Sequence, residues 1–430
     1  MSPDPADIGA RTLKKVMGRL LPFIFLCYIV AYIDRVNTGF AAKSLQLDLG
    51  LSKAQFGRGA GLFFLGYFLF EIPSNMILRT VGARIWIARI MIVWGIVSMG
   101  MIFVKGVWSF YVMRVLLGLA EAGFFPGMVL YLTYWIPARE RARAGALFMI
   151  AAPIAMAVGA PLSGALLDMH GHWGLKGWHW LFLVEGFPAI ILGVLTFKFL
   201  TESPEKATWL TTEEREWLKT ELEAERARKA AQTSTTAFQS LSNPKVWVLC
   251  LVYFLNTSVT YGLFLWLPQM LEEATELKGL KLGLVSSIPF MAAIAGMIAI
   301  CKHSDRTGER KYHVAACAVI AAIGLVLAVL FRHSPALLVL SFAFCQLGQR
   351  AVMPVFWAIP PIFLGGAAAA AGIALINAIG NLGGYFGPDM MGFLAKESKD
   401  YSKGLLVLAA CMIGVAVTVS LLRLPKERAA

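Results

Sequence analysis

The stretch Tyr28-Ile-Val-Ala-Tyr32-Ile-Asp34-Arg35-Val-Asn37 decides the fold, because it sets an acid beside a base inside an otherwise apolar run from about Leu20 to Ala42. A run of that length crosses a hydrocarbon core of about 30 Å as a helix. A charge at that depth costs at least about 2.5–3.5 kcal/mol and ordinarily faces a cavity or a partner. Asp34 and Arg35 are therefore read as functional residues of a membrane span, and the rest of the chain as the structure that shelters them.

Composition supports that reading. The 430 residues are 58% hydrophobic and 15% charged, with a mean hydropathy of +0.67, whereas soluble domains carry about 25% charged residues. A soluble enzyme is excluded in favour of an all-α, polytopic membrane protein. About twelve spans are expected, near residues 17–41, 56–79, 84–104, 108–136, 142–168, 179–200, 245–271, 282–302, 313–331, 335–363, 369–395 and 403–423. Residues 1–201 and 244–430 then form two six-helix bundles, with 202–243 as a cytoplasmic linker. In that linker Thr211-Thr-Glu-Glu214 resembles a capping box opening a short surface helix, followed by a Ser/Thr-rich flexible stretch from Gln232.

The net charge of +13 follows topology, not nucleic-acid binding. Lys and Arg cluster in every second loop: Arg11 to Arg19, Arg79 with Arg84, Arg139 to Arg143, Lys302 to Lys311, and Arg423 to Arg428. That bias places both termini in the cytoplasm of a bacterial inner membrane and favours anionic lipid head groups as neighbours. The polar segment Met1–Ala10 argues against a cleavable signal. Six cysteines lie singly and suggest neither disulfides nor a metal site. His170 and His172, among Trp173, Trp178 and Trp180, are read as an interfacial belt; no metal or cofactor is expected.

The two halves echo each other. Asn75-Met-Ile-Leu-Arg79-Thr-Val-Gly82-Ala-Arg84 after the second span matches Cys301-Lys-His-Ser-Asp305-Arg306-Thr-Gly308-Glu-Arg310 after the eighth. Glu121…Pro126 in the fourth span aligns with Gln349…Pro354 in the tenth. Such parallel repeats mark transporters that bind substrate between halves near the midplane. These loops resemble those of the major facilitator superfamily. Tyr32-Ile-Asp34-Arg35-Val-Asn37, Phe64-Leu-Gly-Tyr67-x-x-x-Glu71-Ile-Pro73 and Arg114-x-x-x-Gly118-x-x-Glu121 resemble its anion:cation symporter family, which includes tartrate, phthalate and galactonate carriers. Two departures stand out. Asn75 and Arg79 occupy positions where the superfamily loop has Gly and Asp, and Ala151-Ala152-Pro153 stands where sugar-acid carriers have a Gln.

The candidate chemistry follows. A carboxyl desolvated in a bundle has its charged form disfavoured, so Asp34 is the first proton-carrier candidate; the alternative is a permanent ion pair with Arg35 or Arg114. Arg114 and Glu121, seven residues apart, project from one helix face about 10 Å apart along the axis. The resemblance implies substrate carboxylate contacts for Arg35 and Arg114 and a second protonation site at Glu121. The alternative for Glu121 is a neutral core acid. Tyr32, Asn256 and Tyr261, with Gln346, Gln349, Arg350, Trp357, Asn377 and Asn381, are candidates to complete the pocket. Arg84, Asp305, Arg306 and Arg310 are assigned to gating loops. Tyr261, Trp266, Phe356 and Trp357 are an aromatic supply for the substrate or for packing, and Glu71 is expected to tether gating loops. The expectation is a monomeric, non-enzymatic, proton-coupled importer of a small organic carboxylate working by alternating access. Its rivals are an anion exchanger on the same fold and a non-transporting sensor.

Overall fold

In the computed structural model, which describes residues 5–231, 242–364, 366–398 and 400–423, every apolar run is a helix and no strand occurs among the described residues. The first half comprises α1 (Pro5–Phe40), the short α2 (Ala42–Leu49), α3 (Lys53–Val81), α4 (Ala83–Gly100), α5 (Val107–Glu121), α6 (Phe124–Thr133), α7 (Ala138–Leu167) and α8 (Gly177–Phe199). After the linker helix α9 (Thr212–Ala231), the second half comprises α10 (Pro244–Thr275), α11 (Gly279–Thr307), α12 (Lys311–Leu330) and α13 (Pro335–Phe356). It ends with α14 (Pro360–Phe363), α15 (Gly366–Asn381), α16 (Gly383–Ser398) and α17 (Ser402–Leu421).

Backbone amides in hydrocarbon must bond within their own segment, which is why these runs are helices. Polar starts fix several of them. Ser52 Oγ accepts from the Gln55 amide at 3.2 Å while Gln55 Oε1 accepts from the Ser52 amide at 2.9 Å, a reciprocal cap on α3. Among the described residues eleven runs are long and apolar enough to cross a membrane. The remaining crossing, the eleventh, expected as one helix over 369–395, is divided at Leu382 into α15 and α16, sixteen residues each, so the two together make the crossing. The fourth crossing is also broken. Between α5 and α6, Gly123 adopts φ 87°, which glycine tolerates without strain, and a Cβ there would collide with Ser74.

The six crossings of each half pack as a bundle, and the bundles meet along α7 against α11, α3 against α16 and α1 against α10. Glycines permit the approach. A Cβ at Gly57 would strike the Pro388 carbonyl, and one at Gly283 would strike the Ala160 carbonyl. The Gly-rich face of the eleventh crossing is likewise packing: Gly383 and Gly387 lie on the α10 backbone at Phe254 and Ser258. One end of the interface is clamped by polar contacts between halves: Lys43–Glu272 at 2.8 Å, Lys53–Glu273 at 3.1 Å and Arg58–Asp389 at 3.2 Å. The other end opens into a cleft.

The linker differs from the expected solvated tether. The Thr211 capping box forms as anticipated, with the Glu214 amide donating to Thr211 Oγ1 at 3.2 Å and the Thr211 amide to Glu214 Oε2 at 3.0 Å. The helix it opens is docked, however. Glu214 pairs with Lys15 at 2.7 Å and Arg11 at 3.2 Å on α1, Glu225 pairs with Arg141 at 3.2 Å on α7, and Leu218 and Leu222 are buried. Burial pushes the Glu214 carboxyl up, but Lys15, the Thr211 amide and Arg11 together hold it below the usual range. The Ser/Thr-rich stretch from Gln232, and Lys426 and Arg428, lie outside the described residues.

Candidate functional site

Asp34 lies within α1, fully enclosed at 1% exposure, and all three of its observed donors are neutral. Trp94 Nε1 of α4 donates to Oδ2 at 2.7 Å, Asn37 Nδ2 donates to Oδ1 at 2.9 Å, and Ser98 Oγ of α4 donates to Oδ1. The Asn37 contact is the end of a chain. Arg114 Nη1 donates to Thr38 Oγ1 at 3.0 Å, and Thr38 Oγ1 donates to Asn37 Oδ1 at 3.1 Å. Arg114 on α5 is thereby linked to Asp34 through two side chains of α1.

Arg35, the next residue, points another way. Its Nε donates to Glu121 Oε1 at 2.7 Å and its Nη2 pairs with the same oxygen, while Nη1 donates to the Tyr261 hydroxyl of α10 at 3.2 Å. Tyr32, Phe63 and Tyr67 rings surround the guanidinium at 5.3–5.7 Å. Glu121 is the last residue of α5, where the helix dipole disfavours negative charge and Arg35 offsets it. Its second oxygen, Oε2, is buried without a hydrogen-bond partner.

Arg35 forms part of the wall of a cavity of ≈ 160 Å³ between the bundles. Of the residues expected to bind substrate, Arg35, Tyr32, Asn256, Tyr261, Gln349, Arg350, Trp357, Asn377 and Asn381 line it. Two do not. Arg114 is turned into the first bundle, donating to Thr38 and, at 3.3 Å, to the Ala60 carbonyl; the α5 face shared with Glu121 meets α1 and α3, not the cavity. Gln346 is enclosed at 1% exposure, a turn before the part of α13 that reaches the cavity, Gln349 to Pro354. Of the aromatic supply, Tyr261 and Trp357 line the wall. Trp266 instead packs on Phe56 and Tyr401 at 5.3 and 5.6 Å, and Phe356 on Tyr253 at 5.8 Å.

The cavity also has residues that the sequence singled out weakly or not at all. Tyr28, Tyr67, Tyr253 and Thr260 line it. Tyr28 and Tyr67 sit inside the quoted motifs. Arg350 of α13 carries the same signal as Arg35, a charge inside an apolar run, and gives the second half a cation at the cavity wall.

Phe125, Met297, Pro354, Trp357 and Asn377 border both this cavity and the cleft of ≈ 1200 Å³ beyond it. At that boundary Asn377 Nδ2 donates to Glu71 Oε1 at 2.6 Å, so Glu71 bridges the two bundles instead of tethering loops. The cleft is walled by Arg79, Lys302, Asp305 and Arg310. Arg310 pairs with Asp305 at 2.6 Å within the second half, Arg306 is exposed, and Arg84 packs on α8 through the Phe197 carbonyl; in this conformation none of these pairs joins the halves. Glu185 is buried, accepting from Ser163 at 2.7 Å. His170 and His172 bond the nearby backbone at Gly177 and Met169.

Two crossing-rich bundles around a central polar cavity are a transporter architecture, and sequence comparison agrees. The Major Facilitator Superfamily profile matches residues 24–388. The chain belongs to that superfamily. A protein of Agrobacterium vitis carrying the provisional name of tartrate transporter is 48% identical over 97% of this chain and 92% of its own length. A quinolone resistance transporter of Acinetobacter baumannii is 40% identical over 95% of this chain and 94% of its own. The inner membrane transport protein RhmT of Escherichia coli is 38% identical over 96% and 95%. Among solved structures, the inward-open xylose transporter XylE of E. coli superposes with a TM-score of 0.75 at 14% identity, covering 95% of this chain and 97% of its own. An inward-facing bacterial homologue of the lysosomal transporter Spinster gives 0.74 at 16%, covering 94% and 96%. These two support the fold alone. The protein is a multi-pass membrane transporter of a small molecule, not an enzyme.

Proposed function

We propose that this transporter imports a small organic carboxylate across a bacterial inner membrane, driven by protons, by alternating access of bundles 1–201 and 244–430 about the linker 202–243. The excess of Lys and Arg in the loops at the cleft end supports a cytoplasmic location for that end and both termini, and with it an inward-open reading. Tartrate-like hydroxy acids lead the substrate candidates, on the name of the Agrobacterium vitis relative, with aromatic acids second.

One observation carries the reading: the guanidinium at the cavity wall, Arg35, is held by a buried acid, Glu121. A carboxylate substrate needs the same fork of donors, which Arg presents in a planar, bidentate geometry. Anion and Glu121 carboxylate therefore compete for one cation. A proton on Glu121 weakens its hold and frees Arg35 for the substrate; loss of that proton restores the ion pair and ejects the anion. Asp34 would act as the second proton site. Its direct hydrogen-bond donors are all neutral, and the Asn37–Thr38–Arg114 chain would convey its protonation state to α5, which carries Glu121.

The test is tartrate uptake into proteoliposomes holding the purified protein. An acid-outside gradient should drive accumulation above equilibrium. Uptake indifferent to the gradient but dependent on internal anion would assign the protein to exchange instead.

A further inference from the structure

Arg35 is neutralised by Glu121, but the other cation of the cavity wall is not matched in the same way. Arg350 enters from α13 of the opposite bundle. Its Nη2 donates to the Met156 sulfur of α7 at 3.2 Å, a weak thioether acceptor, and its buried Nε has no hydrogen-bond partner. A buried guanidinium without a carboxylate is costly unless a ligand supplies the missing charge. Intramembrane charges of this kind line substrate paths.

The surroundings fit a ligand between the two guanidinium groups. The Tyr261 hydroxyl bonds Arg35 at 3.2 Å and lies within electrostatic reach of Arg350 as well. Arg350 in turn lies within reach of Tyr28 and Tyr32, which bond each other at 3.3 Å. Tyr261 thus stands close to a cation of the first bundle, Arg35, and to one of the second, Arg350, on the wall of one cavity. Thr260 and Asn256 add hydroxyl and amide groups to the same wall. The Met156 contact also joins the bundles, so an anion taking Arg350 would exchange a weak bond between halves for a strong one.

We propose that Arg350 is a second anion-binding residue that makes the site selective for dicarboxylates, one carboxylate on Arg35 and the other on Arg350. The inference rests on the cavity being an organic-anion site. A dianion of this kind spans the two bundles; a monocarboxylate satisfies only one of them.

The experiment is isothermal titration of the purified full-length protein with L-tartrate and with L-threonate, in which a hydroxymethyl group replaces one carboxylate. The wild type should bind tartrate the more tightly. Arg350→Met should weaken tartrate by roughly 10- to 150-fold, the range for losing a hydrogen bond to a charged group, and leave threonate within about threefold of its wild-type value. Arg350→Lys should fall between, since it keeps the charge and loses the fork. An unchanged tartrate-to-threonate ratio in Arg350→Met, or an equal loss of both acids, overturns the proposal. Tighter binding of inorganic phosphate than of tartrate overturns it too. Wild-type protein binding neither acid nor phosphate overturns the organic-anion reading, and this inference with it, whereas a wild type that binds tartrate with an unaffected Arg350→Met variant overturns this inference alone.

Discussion

At the scale of single residues, Asp34 and Glu121 sit next to each other in the mechanism but in different environments. Asp34 is held by Trp94, Ser98 and Asn37, whereas Glu121 is held by the cation that faces the cavity. Asp34→Asn should therefore abolish gradient-driven uptake while sparing counterflow exchange of tartrate; loss of both would give Asp34 a binding or purely structural role. Thr38→Val removes one of the two acceptors of Arg114 and the donor to Asn37. It should lower thermal stability by about 1–3 kcal/mol yet leave tartrate affinity nearly unchanged, because Arg114 does not reach the cavity; a large affinity loss would place Arg114 in the binding site after all. What was legible at this scale was a charge in an apolar run, which found Asp34, Arg35 and Arg350. What was not legible was the neighbour each charge meets. Spacing puts Arg114 and Glu121 on one face of α5, but only packing decides that this face turns to α1 and α3.

At the scale of elements, helix starts were readable from local chemistry, as the Thr211–Glu214 cap illustrates. Docking of α9 was not, since its partners Arg11, Lys15 and Arg141 lie far away in sequence. The Glu214 carboxyl is held below its usual range in the folded protein, so its contribution is fully present above the unfolded value of about 4.3. That contribution fades as pH falls through the lowered folded value. Glu214→Gln should loosen α9 by about 1 kcal/mol at neutral pH, since its partner cations Arg11 and Lys15 reach solvent and are screened there, and hydrogen exchange in 212–231 should show it. Unchanged exchange would mean that Leu218 and Leu222 alone dock the helix. The division of the eleventh crossing was also hidden, because a Gly-rich run reads equally as packing face or break.

At the scale of the whole molecule, twelve runs, paired loops and repeats made the two-bundle fold readable, whereas the conformation was not written in any one run. It depends on which end of the interface is closed. Here the closed end rests on contacts such as Gly57 against the Pro388 carbonyl. Gly57→Leu should prop that end apart and shift the population towards the opposite opening. Cysteines placed at Lys43 and Glu272 should then react faster with a membrane-impermeant thiol reagent than in the otherwise wild-type background. Equal labelling would show that the Gly57 contact does not hold the end shut.

The central claim is that proton and anion compete through the Arg35–Glu121 pair, and the pH profile of tartrate affinity tests it most directly. In the wild type, affinity should fall as pH rises, because deprotonated Glu121 recaptures Arg35. In Glu121→Gln, Arg35 is no longer held by a charge, so affinity should be high and nearly flat across the same range. A wild-type affinity independent of pH, or a Glu121→Gln protein that keeps the wild-type slope, would contradict the account.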